Sequence, residues 1–233
     1  MTRRLRVLEI PDDAPAVVRA TVPLAIGELV EVGREAEVEI GVDDPRMSRL
    51  ALAVTPHPES WDVRVSNLNG GLIHPWGLPP LPVHRREHQR LAWPLLGVRL
   101  TTEDGRPQHW VLLESTDLPV TRGQRPLTDA AAGATLYGDE VPDLTPNQLA
   151  ALQLTFEPHL RWPPETKQLL PRQLKQVATA LGISDSAVQQ RLVGARDRAL
   201  RLGMAREVGL LDPAYLYVLV GAGHVPPPEV EPW

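Results

Sequence analysis

The sequence predicts two domains of different class: an N-terminal all-β antiparallel sandwich and a C-terminal all-α bundle built on a helix-turn-helix. Three observations carry that reading. Apolar residues alternate with period two through the first half, the period lengthens to a helical one near residue 144, and a stretch rich in Pro, Gly, Ser, Thr and Ala lies between. At 233 residues the chain suits two domains of ordinary size, and its 42% apolar content supplies two cores. The boundaries read as 1–115 for the sandwich, 116–143 for a linker, 144–222 for the helical domain and 223–233 for a Pro-rich tail.

In the first half, Val38, Ile40 and Val42 alternate with Glu37, Glu39 and Gly41. Leu50, Leu52 and Val54 follow the same rule, as do Trp61, Val63 and Val65. Such alternation turns one face to a core and the other to water. Further strands are expected at RLRVLEI, AVVRATVPL, ELVEV, WPLLGVRL and HWVLLES, and Asn69-Gly70 is read as the reversal between two strands.

The helical half opens at LTPNQLAAL, where Thr145 caps, Pro146 takes the first helical position and Gln148 closes a capping box. Val177, Ala178 and Leu181 then mark the inner face of a short helix ending at Gly182. Ser184 caps a second, on which Val188, Leu192, Ala195, Ala199 and Leu202 form a buried stripe. A last helix is expected from Pro213 to about Gly221.

Composition narrows the chemistry. The chain has no cysteine, so disulfides, thiolate metal sites and cysteine nucleophiles are excluded. No segment reads as a signal peptide or a membrane span, so the protein is expected to be cytoplasmic, with no membrane partner. The net charge of −5 is uneven: residues 144–207 carry 9 basic and 5 acidic side chains, against 15 and 21 in residues 1–143. The string HRREH at 84–88 fits the spacing H-x-x-E-H of a zinc peptidase. Pro82 and Pro94 flank it, however, which favours a solvated loop over the helix such a site needs. No enzyme, metal or cofactor is expected.

A phosphorylated side chain brings nearly two negative charges and three acceptor oxygens, so its site needs fixed cationic or neutral donors. Arg34 at the end of one strand, Ser48 with Arg49 on the next loop, and Asn67 with Asn69 on a third would supply them. The run Gly33-Arg34, Glu39-Ile40, Asp43-Asp44-Pro45 and Ser48-Arg49, with the later Asn69-Gly70, resembles the forkhead-associated (FHA) domain, a phosphothreonine-binding β-sandwich. The resemblance implies that Arg34 and Ser48 hold the phosphate, Asn69 fixes the peptide backbone and Arg49 adds positive potential. Ala51 stands where the family has a histidine, Asn67 where it has a serine and Gly71 where it has a threonine.

The span 171–202 resembles the helix-turn-helix of bacterial sigma factors and response regulators. On that resemblance the helix after Ser184 enters the major groove, presenting Ser186, Gln189, Gln190 and Val193 with Arg191 beside them, and Arg172, Lys175 and Arg191 would meet phosphates. Arg196, Arg198 and Arg201 are further phosphate candidates. The expected function is therefore a bacterial, phosphothreonine-responsive DNA-binding regulator acting downstream of a Ser/Thr kinase, with a homodimer as one arrangement. The ligand is a partner protein or the chain's own linker, which holds Thr116, Thr121, Thr128 and Thr135. An adaptor whose helical domain contacts proteins is the alternative.

Overall fold

In the computed structural model of the chain, residues 3–10, 16–101, 108–120, 142–164 and 169–230 are described. Most of the linker (121–141, with Thr121, Thr128 and Thr135) and the last three residues of the tail lie outside them. The chain divides into two compact units, Met1–Pro119 with Glu229–Trp233, and Val120–Pro228.

The N-terminal unit has eleven described strands: β1 (Arg3–Ile10), β2 (Val17–Pro23), β3 (Val30–Gly33), β4 (Val38–Glu39), β5 (Leu52–His57), β6 (Ser60–Val65), β7 (Gly71–Pro75), β8 (Leu81–Val83), β9 (His88–Leu91), β10 (Leu95–Leu100) and β11 (Gln108–Ser115). They form a six-stranded sheet, β2-β1-β11-β10-β7-β8, and a five-stranded one, β4-β3-β5-β6-β9. The core follows from register. Leu5 pairs with Leu113, Val7 with Val111 and Val98 with Val111 in the first sheet. Leu52 pairs with Val65 and Val54 with Val63 in the second, and all nine of these side chains are fully buried. Arg3 adds a polar clasp: its guanidinium donates to the carbonyls of Ser60 (3.1 Å) and Pro58 (2.6 Å) and lies 5.1 Å from the Trp61 ring centroid.

Three features depart from the sequence reading. The sandwich is mixed, because β3 and β4 run parallel, with Val32 opposite Val38. The alternation beginning at Val38 stops after two strand residues: Gly41 takes φ +59° and accepts a turn hydrogen bond from the Asp44 N–H (3.0 Å), so Val42 lies exposed on a loop. Asn69-Gly70 does reverse the backbone, with Gly70 at φ +68°, yet it joins β6 of one sheet to β7 of the other rather than closing a hairpin. Strands β7, β8 and β9 carry little alternation. Pro82 sits on β8, an edge strand, where the missing N–H breaks no interior ladder.

The C-terminal unit holds α1 (Pro146–Thr155), α2 (Glu157–Leu160), α3 (Leu174–Leu181), α4 (Asp185–Arg201) and α5 (Ala214–Gly221). Thr145 and Gln148 make the reciprocal capping box at α1, through hydrogen bonds of 3.3 Å and 3.0 Å. Gly182 ends α3 in the left-handed conformation, letting the Ile183 N–H reach back to the Ala178 carbonyl (3.1 Å), and Ser184 caps α4. Val188, Leu192, Ala195 and Ala199 are fully buried, while Leu202 is half-buried. Gly194 has a local reason: a Cβ there would lie 2.3 Å from Gln148 Nε2 of α1. Tyr215 is core, edge-on to Phe156 at 5.3 Å, its hydroxyl donating to the Leu210 carbonyl (2.8 Å). No helix among the described residues is long and apolar enough to cross a membrane.

Candidate functional site

The loop after β3 and the loop before β5 are laced backbone to backbone. The Arg34 N–H donates to the Ser48 carbonyl (3.0 Å) and the Glu35 N–H to the Arg49 carbonyl (3.1 Å). Gly33 makes this approach possible, because a Cβ on it would stand 2.1 Å from the Arg49 carbonyl oxygen. The third loop, after β6, is tied to the second in two ways. The N–H groups of Ser66 and Asn67 both donate to the Ala51 carbonyl, each at 2.8 Å. The Leu68 N–H donates to Ser48 Oγ at 2.9 Å. The structure therefore brings Arg34, Ser48, Arg49 and the loop bearing Asn69 to one end of the sandwich. The Ala51 carbonyl, accepting from both Ser66 and Asn67, thus braces the third loop against the second.

Ser48 Oγ is left with its own O–H to donate, since the bond from Leu68 uses an acceptor lone pair. Arg34 is partly exposed, and among the described residues its buried Nε has no hydrogen-bond partner. Arg49 is open to solvent, with 76% of its side chain exposed. Both guanidinium groups lean on one carboxylate oxygen: Glu35 Oε1 is 3.6 Å from an Arg34 terminal nitrogen and 3.3 Å from Arg49 Nε. Two cations thus already converge on a single anionic position. Asn69 is exposed in the turn, and no hydrogen bond of its side chain is recorded among the described residues.

Asn67 differs from expectation. It is fully buried, and its Nδ2 donates to the carbonyls of Gly70 (2.9 Å) and Thr101 (2.7 Å). Both amide protons are spent on holding the turn against the end of β10, so Asn67 is a strut beneath the site and offers no donor to a ligand. Nothing in its sequence context distinguishes it from the exposed Asn69 two residues on. Glu35 was likewise missed, because a lone exposed glutamate beside an arginine has no special spacing.

In the C-terminal unit, Ser186, Gln189 and Gln190 lie exposed on α4, Arg191 and Val193 are half-buried, and Lys175 is exposed on α3. Several expected cations have internal partners. Arg172 pairs with Glu157, Arg196 Nη2 lies 2.8 Å from Glu207, and Arg198 donates to the Pro142 carbonyl. The HRREH string forms a turn between β8 and β9 with Arg86 at φ +67°, and the His84 N–H donates to Glu87 Oε2 (2.8 Å). That bond holds the Glu87 carboxyl below its ordinary pKa. Among the described residues no group of three or more His, Cys, Asp or Glu is placed to hold a metal ion.

No protein-family model and no curated protein matches the chain. Several solved structures resemble it. An engineered FHA domain with a Myc-pTBD peptide is 12% identical, with a TM-score of 0.36 over 48% of this chain and 91% of that one. A domain from a study of phosphothreonine-dependent FHA domain interactions is 19% identical, with a TM-score of 0.33 over 49% and 96%. An FHA domain of Mycobacterium tuberculosis is 20% identical, with a TM-score of 0.31 over 49% and 99%. These likenesses are distant, and the site is read from its own geometry.

Proposed function

We propose that the N-terminal unit binds a phosphothreonine-containing segment, with Arg34, Ser48 and Arg49 on the phosphate and Asn69 on the ligand backbone. The observation that carries this is the shared carboxylate oxygen of Glu35, which shows two guanidinium groups able to serve one anion. A phosphate brings more charge and three acceptors, and it also meets the Ser48 hydroxyl. Loops laced by backbone hydrogen bonds hold these donors before the ligand arrives, which lowers the ordering cost of binding. The function is one of binding rather than catalysis. A Ser/Thr kinase would write the mark, on a partner protein or on the linker. Titrating the labelled chain with a phosphothreonine peptide and following backbone amides by NMR tests the site. Saturable shifts should centre on residues 33–35, 48–49 and 68–70 and be missing with the unphosphorylated peptide. Shifts elsewhere, or equal shifts with both peptides, contradict it.

For the C-terminal unit the exposed polar row Ser186, Gln189 and Gln190 on α4, reached through the tight turn at Gly182–Ser184, supports duplex DNA as the partner. The internal pairing of Arg172, Arg196 and Arg198 leaves Lys175, Arg191 and Arg201 as its phosphate contacts. On this reading a phosphorylated ligand at one unit tunes DNA binding by the other.

A further inference from the structure

A cavity of about 730 Å³ opens on the flank of the N-terminal unit, between β1–β2 and the segment Ala36–Arg46. His109, at the start of β11, lines it. Its side chain is 1% exposed, and among the described residues neither ring nitrogen has a hydrogen-bond partner. Asp44 Oδ2 stands 3.8 Å from Nε2, beyond hydrogen-bond reach. Burial holds the imidazole below its ordinary pKa against the opposing pull of Glu9 and Asp44, and a neutral ring offers one nitrogen as an acceptor. Gly41, at φ +59°, lets the backbone reach the ring edge: a Cβ there would lie 3.2 Å from Cε1 and Nε2.

The charge of the lining is one-sided. Asp44 is tied to Arg46 (2.8 Å) and Glu9 to Arg19 (2.7 Å). That leaves Glu37, Glu39 and Asp43 as exposed lining carboxylates with no ion pair or hydrogen bond recorded among the described residues. An anion is repelled here. A neutral apolar group would cover the carboxylates and the imidazole acceptor without satisfying either. A cationic N–H donor meets both needs.

We propose that this cavity receives the guanidinium or ammonium group of a basic residue in the same peptide whose phosphothreonine docks at Arg34 and Ser48. The placement, which rests on the phosphate reading, follows from the chain itself. Arg46 walls the cavity, and Ser48, two residues on, carries the phosphate-facing hydroxyl. Consecutive Cα atoms are ~3.8 Å apart, so the Cα atoms of Arg46 and Ser48 are at most about 7.6 Å apart, within the reach of two or three extended residues of a ligand. The β4–β5 loop thus serves both, with carboxylates on one side and phosphate donors on the other.

The test is calorimetry on the full chain with phosphothreonine peptides that carry arginine or alanine at each position within three residues of the mark. Wild type is compared with Glu39→Gln/Asp43→Asn, whose altered side chains are exposed and outside the phosphate site. At one position arginine should tighten wild-type binding roughly five-fold, and the variant should lose most of that gain while binding the alanine peptide as wild type does. No arginine preference at any position, or a preference the variant keeps, overturns the proposal. A chain that binds no phosphopeptide fails the phosphate reading instead. NMR titration with arginine amide then decides the cavity alone: saturable shifts at His109 and Gly41 that the variant loses support it, and their absence overturns it.

Discussion

Between the guanidinium groups of Arg34 and Arg49 lies the Glu35 carboxylate, and a phosphate serving both arginines must displace it. Glu35→Gln removes that competitor, so phosphothreonine-peptide affinity should rise about two- to five-fold at low salt, the scale of one exposed ion pair. The gain should shrink as salt is added. Unchanged or weaker binding by calorimetry would put the phosphate elsewhere. A second residue-scale expectation concerns His74, whose ring centroid is 4.8 Å from that of Trp110. Burial, with a smaller push from Arg99, lowers its pKa to about 4 from 6.5. The unfolded chain therefore takes up a proton that the folded one refuses. The contribution is complete above pH 6.5 and is lost as pH falls toward 4, on the order of 3 kcal/mol in all. His74→Phe keeps an aromatic ring beside Trp110 and should flatten the fall in urea midpoint between pH 7 and pH 4. Parallel declines in variant and wild type would clear His74 of that role.

At the scale of elements, the lacing of loops depends on Gly33 and the entry to the helical unit depends on Thr145. Gly33→Ala sets a methyl against the Arg49 carbonyl, a backbone atom fixed at both ends, and should cost about 2–4 kcal/mol and weaken phosphopeptide binding with it. Thr145→Ala removes one cap and should cost about 1 kcal/mol, leaving phosphopeptide affinity as it was. Urea denaturation with peptide titration separates the two; equal effects of both variants on binding would contradict the division. These elements also mark what was legible beforehand. The capping box at Thr145, the turn at Gly182 and the stripe from Val188 to Ala199 were readable because helix signals are local. Strands β1, β6 and β11 were readable as apolar or alternating runs. Strands β7 to β9 were hidden by Pro79, Pro80 and Pro82 and by the shortness of edge segments. The parallel β3–β4 pair and the crossing at Asn69-Gly70 depend on which sheet a strand joins, and no local pattern records that. In the site, Arg34, Ser48 and Arg49 were visible as donor types on adjacent loops. The buried role of Asn67, the bridge at Glu35 and the orphaned imidazole of His109 depend on tertiary contacts to residues far along the chain.

For the whole molecule, the unit proposed to read phosphate is followed in the chain by one whose α4 carries an exposed polar row. Three phosphate contacts predict a plot of log affinity against log salt with a slope of about −3 for duplex DNA. Absence of binding at low salt would leave the helical unit as a protein-contact module, the adaptor alternative. The central claim concerns the other unit, and it is tested most directly by calorimetric titration of the full chain with a matched pair of phosphothreonine and unphosphorylated peptides, repeated on Arg34→Ala. The account predicts saturable binding of the phosphorylated peptide alone, weakened at least ten-fold by the substitution, as loss of a charge-assisted contact of roughly 1.5–3 kcal/mol requires. Equal binding of both peptides, or full affinity in Arg34→Ala, would contradict it.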